Sequence, residues 1–192
     1  YHESERDFMI KNELTCLGDE ITNSRNPQFS ALVRDDAKNL ILYPVGVPLD
    51  DTSPMTQQQM HGYFECIRAL QAKSIVHRDV APHHLLSFSD RIFLIDFGFA
   101  VNIDDGPVSF EGTSRFAANS ILDGLAEVVS FNNFDYCPSF QHDLESLVKV
   151  IFVRNCPDAY ESLRELETRD IEGILEIWTS LRLDDFLSKL FN

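Results

Sequence analysis

The chain has 192 residues, 44% of them hydrophobic and 24% charged, which is enough for one well-buried core and too apolar for a disordered tail. Sixteen basic residues against thirty-one acidic ones leave a net charge of −15. That balance suits a solvated acidic surface and excludes a general nucleic-acid binder, which needs a basic footprint.

Residues 5–20 mix charges with Phe8, Met9, Leu14 and Leu17 at loose helical spacing, and Asn23 to Pro27 breaks the pattern. Two short strands are expected at Phe29 to Arg34 and Asn39 to Pro44, joined through the polar turn Asp35-Asp36-Ala37-Lys38. Pro44-Val45-Gly46-Val47-Pro48 reads as an extended linker. Ser53-Pro54 reads as a helix start, a capping hydroxyl followed by proline in the first turn. Met60, Tyr63, Phe64, Ile67 and Leu70 then form an apolar stripe, with Cys66 on or near its buried face.

Ile75-Val76 is a short strand leading into His77-Arg78-Asp79. Leu85 to Phe88 and Arg91 to Ile95 read as a hairpin turning at Ser89-Asp90, and its second strand runs into Asp96-Phe97-Gly98. Residues 102–118 read as a loop with its turn at Asp104 to Pro107. Downstream the pattern is helical. Leu144, Leu147, Val148 and Ile151 make one stripe, Ile171, Ile174, Leu175 and Trp178 a second, and Leu183, Phe186, Leu187 and Leu190 a third. The whole is mainly α within an α+β class.

Cys16, Cys66, Cys137 and Cys156 are scattered with no CxxC spacing, which points to reduced thiols rather than a zinc cluster. No apolar run approaches the roughly 18 residues of a membrane span, and no signal peptide is present. An intracellular protein, in cytoplasm or nucleus and without a membrane partner, is expected. The first residue is Tyr1 and not methionine, so a piece of a longer protein is expected too.

The chemistry sits in the two tripeptides. Phosphoryl transfer to a hydroxyl needs a carboxylate beside that hydroxyl and a divalent metal to neutralise phosphate charge. Asp79 before a hairpin and Asp96 after it would be held at one edge. In this arrangement His77-Arg78-Asp79 and Asp96-Phe97-Gly98 resemble the catalytic and metal-binding loops of the protein kinase superfamily. The resemblance covers about residues 5–190. Leu40 to Gly46 is similar to the strand and hinge that hold adenine, placing Tyr43, Val45 and Gly46 at ATP. Gly112-Thr113-Ser114-Arg115-Phe116-Ala117 resembles the end of an activation segment of casein-kinase type. Asp143-Leu144-Glu145-Ser146-Leu147 resembles the start of a long buried helix of the C-lobe. Together with Leu122-Asp123-Gly124-Leu125, these segments are most similar to fungal and oomycete kinase-like proteins, including Crinkler-type effectors.

The resemblance implies a fold: a kinase-like C-lobe over residues 45–192, with a truncated N-lobe remnant (the αC helix and two strands) over residues 1–44. It implies ATP and Mg2+ as cofactors and a protein Ser or Thr hydroxyl as acceptor. Asp79, with Arg78, would be catalytic, and Asp96 and His84 would hold metal. Glu13 would be the ion-pair glutamate of αC, and His77, Phe97, Gly98, Thr113 and Asp143 would order the loops. Asp143 would accept hydrogen bonds from the backbone around Arg78.

The sequence also departs from the pattern. A glycine-rich loop and a Val-Ala-Ile-Lys-type strand are not encoded in these 192 residues, and Lys11 is a poor substitute for that lysine. Ala81 stands where serine/threonine kinases carry lysine, and His84 where they carry a metal-binding asparagine. Magnesium prefers oxygen ligands to imidazole, so His84 weakens a second magnesium site. His83-His84 could alternatively serve a softer metal. Ala118-Asn119-Ser120 replaces the usual Ala-Pro-Glu.

Arg78 has two readings: it binds a phosphate carried by Ser109, Thr113 or Ser114, or it pairs with a carboxylate such as Glu111. Three functions therefore stand: a divergent protein kinase, a pseudokinase-like binding module, and a small-molecule phosphotransferase. A protein substrate or partner is expected, with self-association through a surface that an N-lobe would otherwise cover.

Overall fold

The computed structural model describes residues 31–36, 39–43, 46–48, 54–88, 91–128 and 134–181. The helix expected at 5–20, with Glu13, lies outside the described residues, as do Val45, Ser53 and the last apolar stripe from Leu183.

Strands β1 (Ala31–Asp36) and β2 (Asn39–Tyr43) form an antiparallel pair, with Ala31 opposite Tyr43 and Asp36 opposite Asn39. Asp35 and Asp36, expected in the turn, continue the ladder instead; Asp35 faces Leu40. The expected linker also contains a strand, β3 (Val47–Pro48), which lies against β5 (Leu85–Phe88). β5 in turn pairs with β6 (Arg91–Leu94), giving a three-stranded sheet in the order β3-β5-β6. Pro48 has no N–H to donate and so suits the edge position of β3. Gly46 lets this edge close on the sheet: a Cβ there would stand 2.6 Å from the Leu86 Cβ.

Helix α1 (Gln57–Gln71) starts later than Ser53-Pro54 implied. Its cap is Thr56, whose hydroxyl accepts the Gln59 N–H at 3.1 Å while the Gln59 side chain accepts the Thr56 N–H at 2.8 Å. This reciprocal box satisfies two otherwise orphaned donors, which a lone hydroxyl before proline does not. Tyr63, Cys66, Ile67 and Leu70 are buried, with Met60 and Phe64 only partly so. Burial raises both the Tyr63 hydroxyl and the Cys66 thiol, the latter to about 12.

Strand β4 (Ile75–Val76) pairs antiparallel with β7 (Val101–Asn102), and β8 (Val108–Ser109) with β9 (Asp135–Tyr136). The segment expected as loop thus holds a strand, and also short 3-10 turns at Ile103–Asp105 and Ser114–Phe116. Four helices follow: α2 (Asn119–Ala126), α3 (Phe140–Asn155), α4 (Pro157–Glu165) and α5 (Ile171–Ser180).

Helix α3 runs through the body, packing against α1 and α4, while α2 packs against α5 and α1 against β6. Consequently α3 buries more than one stripe: Leu147, Lys149, Val150, Ile151, Phe152, Val153 and Arg154 are all buried. Leu144, placed by its spacing on the apolar stripe, is 42% exposed instead. A helix surrounded by neighbours has no single polar face, so periodicity misplaces its edges.

Candidate active site

Both tripeptides sit at the ends of short strands and bend through positive φ, at Arg78 (70°) and at Asp96 (65°). Left-handed backbone at residues other than glycine costs about 1–3 kcal/mol and persists only where the surroundings impose it. At Arg78 the restraint comes from Asp143, in the first turn of α3. Its carboxylate accepts the His77 N–H at 2.6 Å and the Arg78 N–H at 2.9 Å. Burial pushes the Asp143 carboxyl up to about 7, against these two donors and the nearby Arg78, which favour the anion.

His77 joins the two loops. Its ring is fully buried, its Nε2 lies 3.1 Å from the Ile95 carbonyl and its edge meets Phe97 with centroids 4.9 Å apart. The Asp79 N–H donates to Nδ1 at 3.3 Å, which places the ring proton on Nε2. Burial lowers this imidazole to about 4, with Asp79 opposing, so the ring is neutral at pH 7.

Asp79 is itself buried, and its Oδ1 accepts the Thr113 backbone N–H at 2.7 Å. Gly112 makes that approach achievable. It has φ 124°, and a Cβ there would lie 2.8 Å from the Arg78 carbonyl oxygen and 3.3 Å from Asp79 Oδ1.

His84 occupies the junction between the two aspartates, on a 3-10 turn (Pro82–His84) that Pro82 starts. Its Nδ1 lies 2.8 Å from the Asp79 carbonyl oxygen and 3.4 Å from Asp79 Oδ2. Its Nε2 lies 3.3 Å from Asp96 Oδ2. Burial alone would pull the His84 imidazole down, but the Asp96 hydrogen bond and the Asp79 charge outweigh it and the net shift is upward. Asp96 moves the other way, held below the usual carboxylate range first by the His84 hydrogen bond. The Gly98 N–H approaches Asp96 Oδ1 at 3.4 Å.

Arg78 is turned inward, its side chain only 3% exposed. It donates to the carbonyls of Phe99 (2.9 Å) and Ser109, and to the Tyr136 hydroxyl (3.2 Å), and it lies 3.6 Å from Glu111. Spacing gave no signal for Tyr136, which comes from strand β9. The Tyr136 hydroxyl is raised by burial, with Arg78 opposing.

The segment after Thr113 is fastened to the helices. Ser114 Oγ donates to the Thr168 carbonyl at 2.6 Å, Arg115 reaches the Leu163 and Leu166 carbonyls, and Trp178 Nε1 donates to the Arg115 carbonyl at 2.8 Å. Buried Lys149 donates to the Ala117 carbonyl and to Asn119 Oδ1 at 2.7 Å, and lies 3.4 Å from Glu145. Burial pulls this ammonium down to about 8. Asn119, from the segment that replaces Ala-Pro-Glu, thus receives the lysine at its side chain while its own N–H donates to Glu145 at 2.7 Å.

Among the described residues, no group of three or more His, Cys, Asp and Glu side chains is arranged to hold a metal ion by itself. Magnesium in phosphate sites commonly takes one or two carboxylates, with phosphate and water oxygens completing the shell. Asp96 fits that role, and His84 is the neighbouring donor. Of the residues expected at adenine, Tyr43 ends β2 opposite Ala31, and Gly46 lies over Leu86. Ala81 is fully buried, so no cation stands at that position of the loop.

A hairpin carrying two aspartate loops beside a buried central helix defines a protein-kinase-like domain. The family profile described as fungal protein kinase matches residues 6–154, and the chain belongs to that family. Among solved structures, the autoinhibited serine kinase domain of the giant muscle protein titin superposes with a TM-score of 0.61 at 19% identity. That match covers 97% of this chain and 62% of the titin kinase chain, so the present sequence spans under two thirds of its neighbour's length. No curated protein matches the chain. Kinases of this fold use ATP and Mg2+ in general. No helix among the described residues is long and apolar enough to cross a membrane.

Proposed function

We propose that the site serves ATP-dependent phosphoryl transfer to Ser or Thr hydroxyls of proteins, in a divergent form. One observation carries the reading: the carboxylates of Asp79 and Asp96 converge on the two nitrogens of a single imidazole, His84. That convergence puts a base and a metal-binding carboxylate at one junction.

Asp79 is the base. The Thr113 N–H fixes its Oδ1, leaving Oδ2 to orient the acceptor hydroxyl and take its proton. The hydroxyl oxygen bonds to the γ-phosphorus, the bond from that phosphorus to the ADP oxygen breaks, and the proton passes from Asp79 to solvent. A metal at Asp96, when bound, neutralises charge on the phosphate oxygens. Asp143 holds the backbone of the loop, and Arg78 ties that loop to the segment 99–111.

The test is transfer of labelled phosphate from ATP to generic protein substrates by the full-length protein and by its Asp79→Asn variant. Loss of transfer in the variant, with nucleotide binding retained, supports the reading. Equal transfer by both overturns it.

A second reading, a pseudokinase-like binding module, draws on buried Ala81, which leaves no side chain to neutralise the γ-phosphate. Nucleotide binding without transfer in either protein favours it. Kinship with fungal or oomycete kinase-like proteins, including Crinkler-type effectors, and a casein-kinase-type activation segment belong with the first reading as its finer form. So does an interaction with a protein partner.

A further inference from the structure

Helix α3 carries two charged residues one turn apart, Glu145 and Lys149, that phosphoryl transfer as described above does not use. Both meet the stretch where the segment after Thr113 runs into α2. Glu145 accepts the Asn119 N–H at 2.7 Å. Lys149 donates to Asn119 Oδ1 at 2.7 Å and to the Ala117 carbonyl, and its Nζ lies 3.4 Å from Glu145. An ammonium has three donors and no acceptor. Each of the three faces an oxygen here, so the group is matched.

Filling space does not explain a lysine at this position. Its side chain is fully buried, and burial pulls the ammonium down to about 8. Methionine, unbranched and uncharged, would fill the slot without that desolvation. Apolar replacement of buried charges is often neutral or stabilising. Donating hydrogen bonds is what methionine cannot do. Glu145 keeps its side chain 36% exposed, so water can reach it without the lysine.

The stretch that Lys149 holds is one turn from Asp79. The Ala117 N–H donates to the Ser114 carbonyl at 3.0 Å and the Phe116 N–H to the Thr113 carbonyl at 3.1 Å, which closes the 3-10 turn Ser114–Phe116. The Thr113 N–H in turn donates to Asp79 Oδ1 at 2.7 Å. Ser114 and Arg115 tie this turn to the carbonyls of Thr168, Leu163 and Leu166, on the side of α4 and α5. Lys149 and Glu145 hold its other end. Position 120 is an exposed serine, and the carboxylate that grips this end comes from α3.

We infer that Lys149 is a positioning residue for phosphoryl transfer: with Glu145 it clasps residues 117–119, and through the turn Ser114–Phe116 it fixes the Thr113 N–H that orients Asp79. The inference rests on the phosphoryl-transfer reading and adds to it a residue from outside both aspartate loops. Because Lys149 acts through the backbone leading to the base, it governs turnover and leaves nucleotide affinity alone.

The experiment compares the full-length protein with Lys149→Met and Lys149→Arg in three readouts. These are amide hydrogen exchange at Thr113, Phe116 and Ala117, affinity for a non-hydrolysable ATP analogue, and steady-state transfer of labelled phosphate to casein. In Lys149→Met, exchange at Thr113 is expected to quicken while the amides of α1 keep their protection. kcat is expected to fall by about tenfold to a hundredfold, the order that slight misplacement of a reacting group produces, with analogue affinity unchanged. Lys149→Arg, which still donates, restores both. Where Lys149→Met does not fold, Asn119→Ala takes its place, and Asn119→Asp, which returns an acceptor to the lysine, is the variant expected to restore exchange and kcat.

Parent-like exchange at Thr113 in Lys149→Met and in Asn119→Ala overturns the inference. So does quickened exchange with an unchanged kcat, or an equal loss in Lys149→Met and Lys149→Arg, since the shape of the slot and not its hydrogen bonds then matters. Each of these leaves phosphoryl transfer standing. A parent that transfers no phosphate overturns the phosphoryl-transfer reading instead, and quickened exchange at Thr113 in Lys149→Met then still supports the hold of Lys149 on Asp79.

Discussion

Asp143 illustrates how one side chain sets the geometry of another segment. The residue lies 65 positions from Arg78 in sequence, yet it holds two consecutive backbone donors and with them the left-handed turn that presents Asp79. Replacing it with asparagine leaves one oxygen for two N–H groups and points an amide donor at the other. Asp143→Asn is expected to cost about 1–3 kcal/mol, the penalty for an unsatisfied buried donor. Its pH dependence is separable. The native carboxyl is raised to about 7 by burial while the unfolded one keeps its ordinary value near 3.8, so between those values the native state holds the extra proton. Stability from this group is present in full below about pH 4 and lost as pH rises through 7. Urea midpoints should therefore fall between pH 5 and pH 7.5 in the parent relative to Asp143→Asn; equal pH dependence in the two would remove Asp143 as the cause. The bonds accepted by Asp143 were legible from the family resemblance. The inward turn of Arg78 was legible only as one of two alternatives, because its main partners are carbonyls and a tyrosine from β9, and neither leaves a pattern in the sequence.

Among the elements, helix α1 was easy to foresee and its start was not. Its apolar residues recur at helical spacing, so the element and its buried face were readable, but the start read at Ser53-Pro54 was too early, and the cap is Thr56. The reciprocal box at Thr56 won because it satisfies two backbone donors at once. Thr56→Ala should cost about 1 kcal/mol, read as a lowered urea midpoint with unchanged cooperativity. A midpoint unaltered within error would show that tertiary packing alone fixes this terminus. Helix α3 teaches the opposite lesson. Its stripe was read from Leu144, Leu147, Val148 and Ile151, yet Lys149 is fully buried among them and Leu144 is not. Lys149 goes inside because the Ala117 carbonyl, Asn119 and Glu145 receive its ammonium and Trp178 lies 5.0 Å beneath it. Glu145 is local, one turn earlier on α3, but Ala117, Asn119 and Trp178 come from other segments and leave no mark in the helix. The strands β3, β8 and β9 were missed for a similar reason: each is two residues long and exists only by pairing with a distant segment.

At the scale of the molecule, charge is the dominant sequence-level quantity. A net −15 on 192 residues repels itself in the folded state more than in the expanded chain. Raising NaCl from about 0.01 M to about 0.15 M shortens the screening length from about 30 to about 8 Å, so the thermal midpoint should rise over that range; a flat or falling midpoint would show that local ion pairs offset the net repulsion. Such pairs are present, as in Arg68 with Glu65 at 2.7 Å, but exposed pairs contribute little each. The sequence by itself determined the class of fold and the order of the two aspartate loops, since helical and strand periodicities and the tripeptides are local properties of the chain. It also determined the identities of Ala81 and His84, and hence the departure from the usual metal and phosphate ligands. Tertiary structure alone decided that one imidazole would meet both aspartates, that Arg78 would be consumed by the segment 99–111 and by Tyr136, and that the segment 113–119 would be fastened by Lys149, Arg115 and Trp178. Each of these depends on directions of side chains brought together from separate elements, and hydrogen-bond and metal chemistry respond to those directions at the scale of tenths of an ångström.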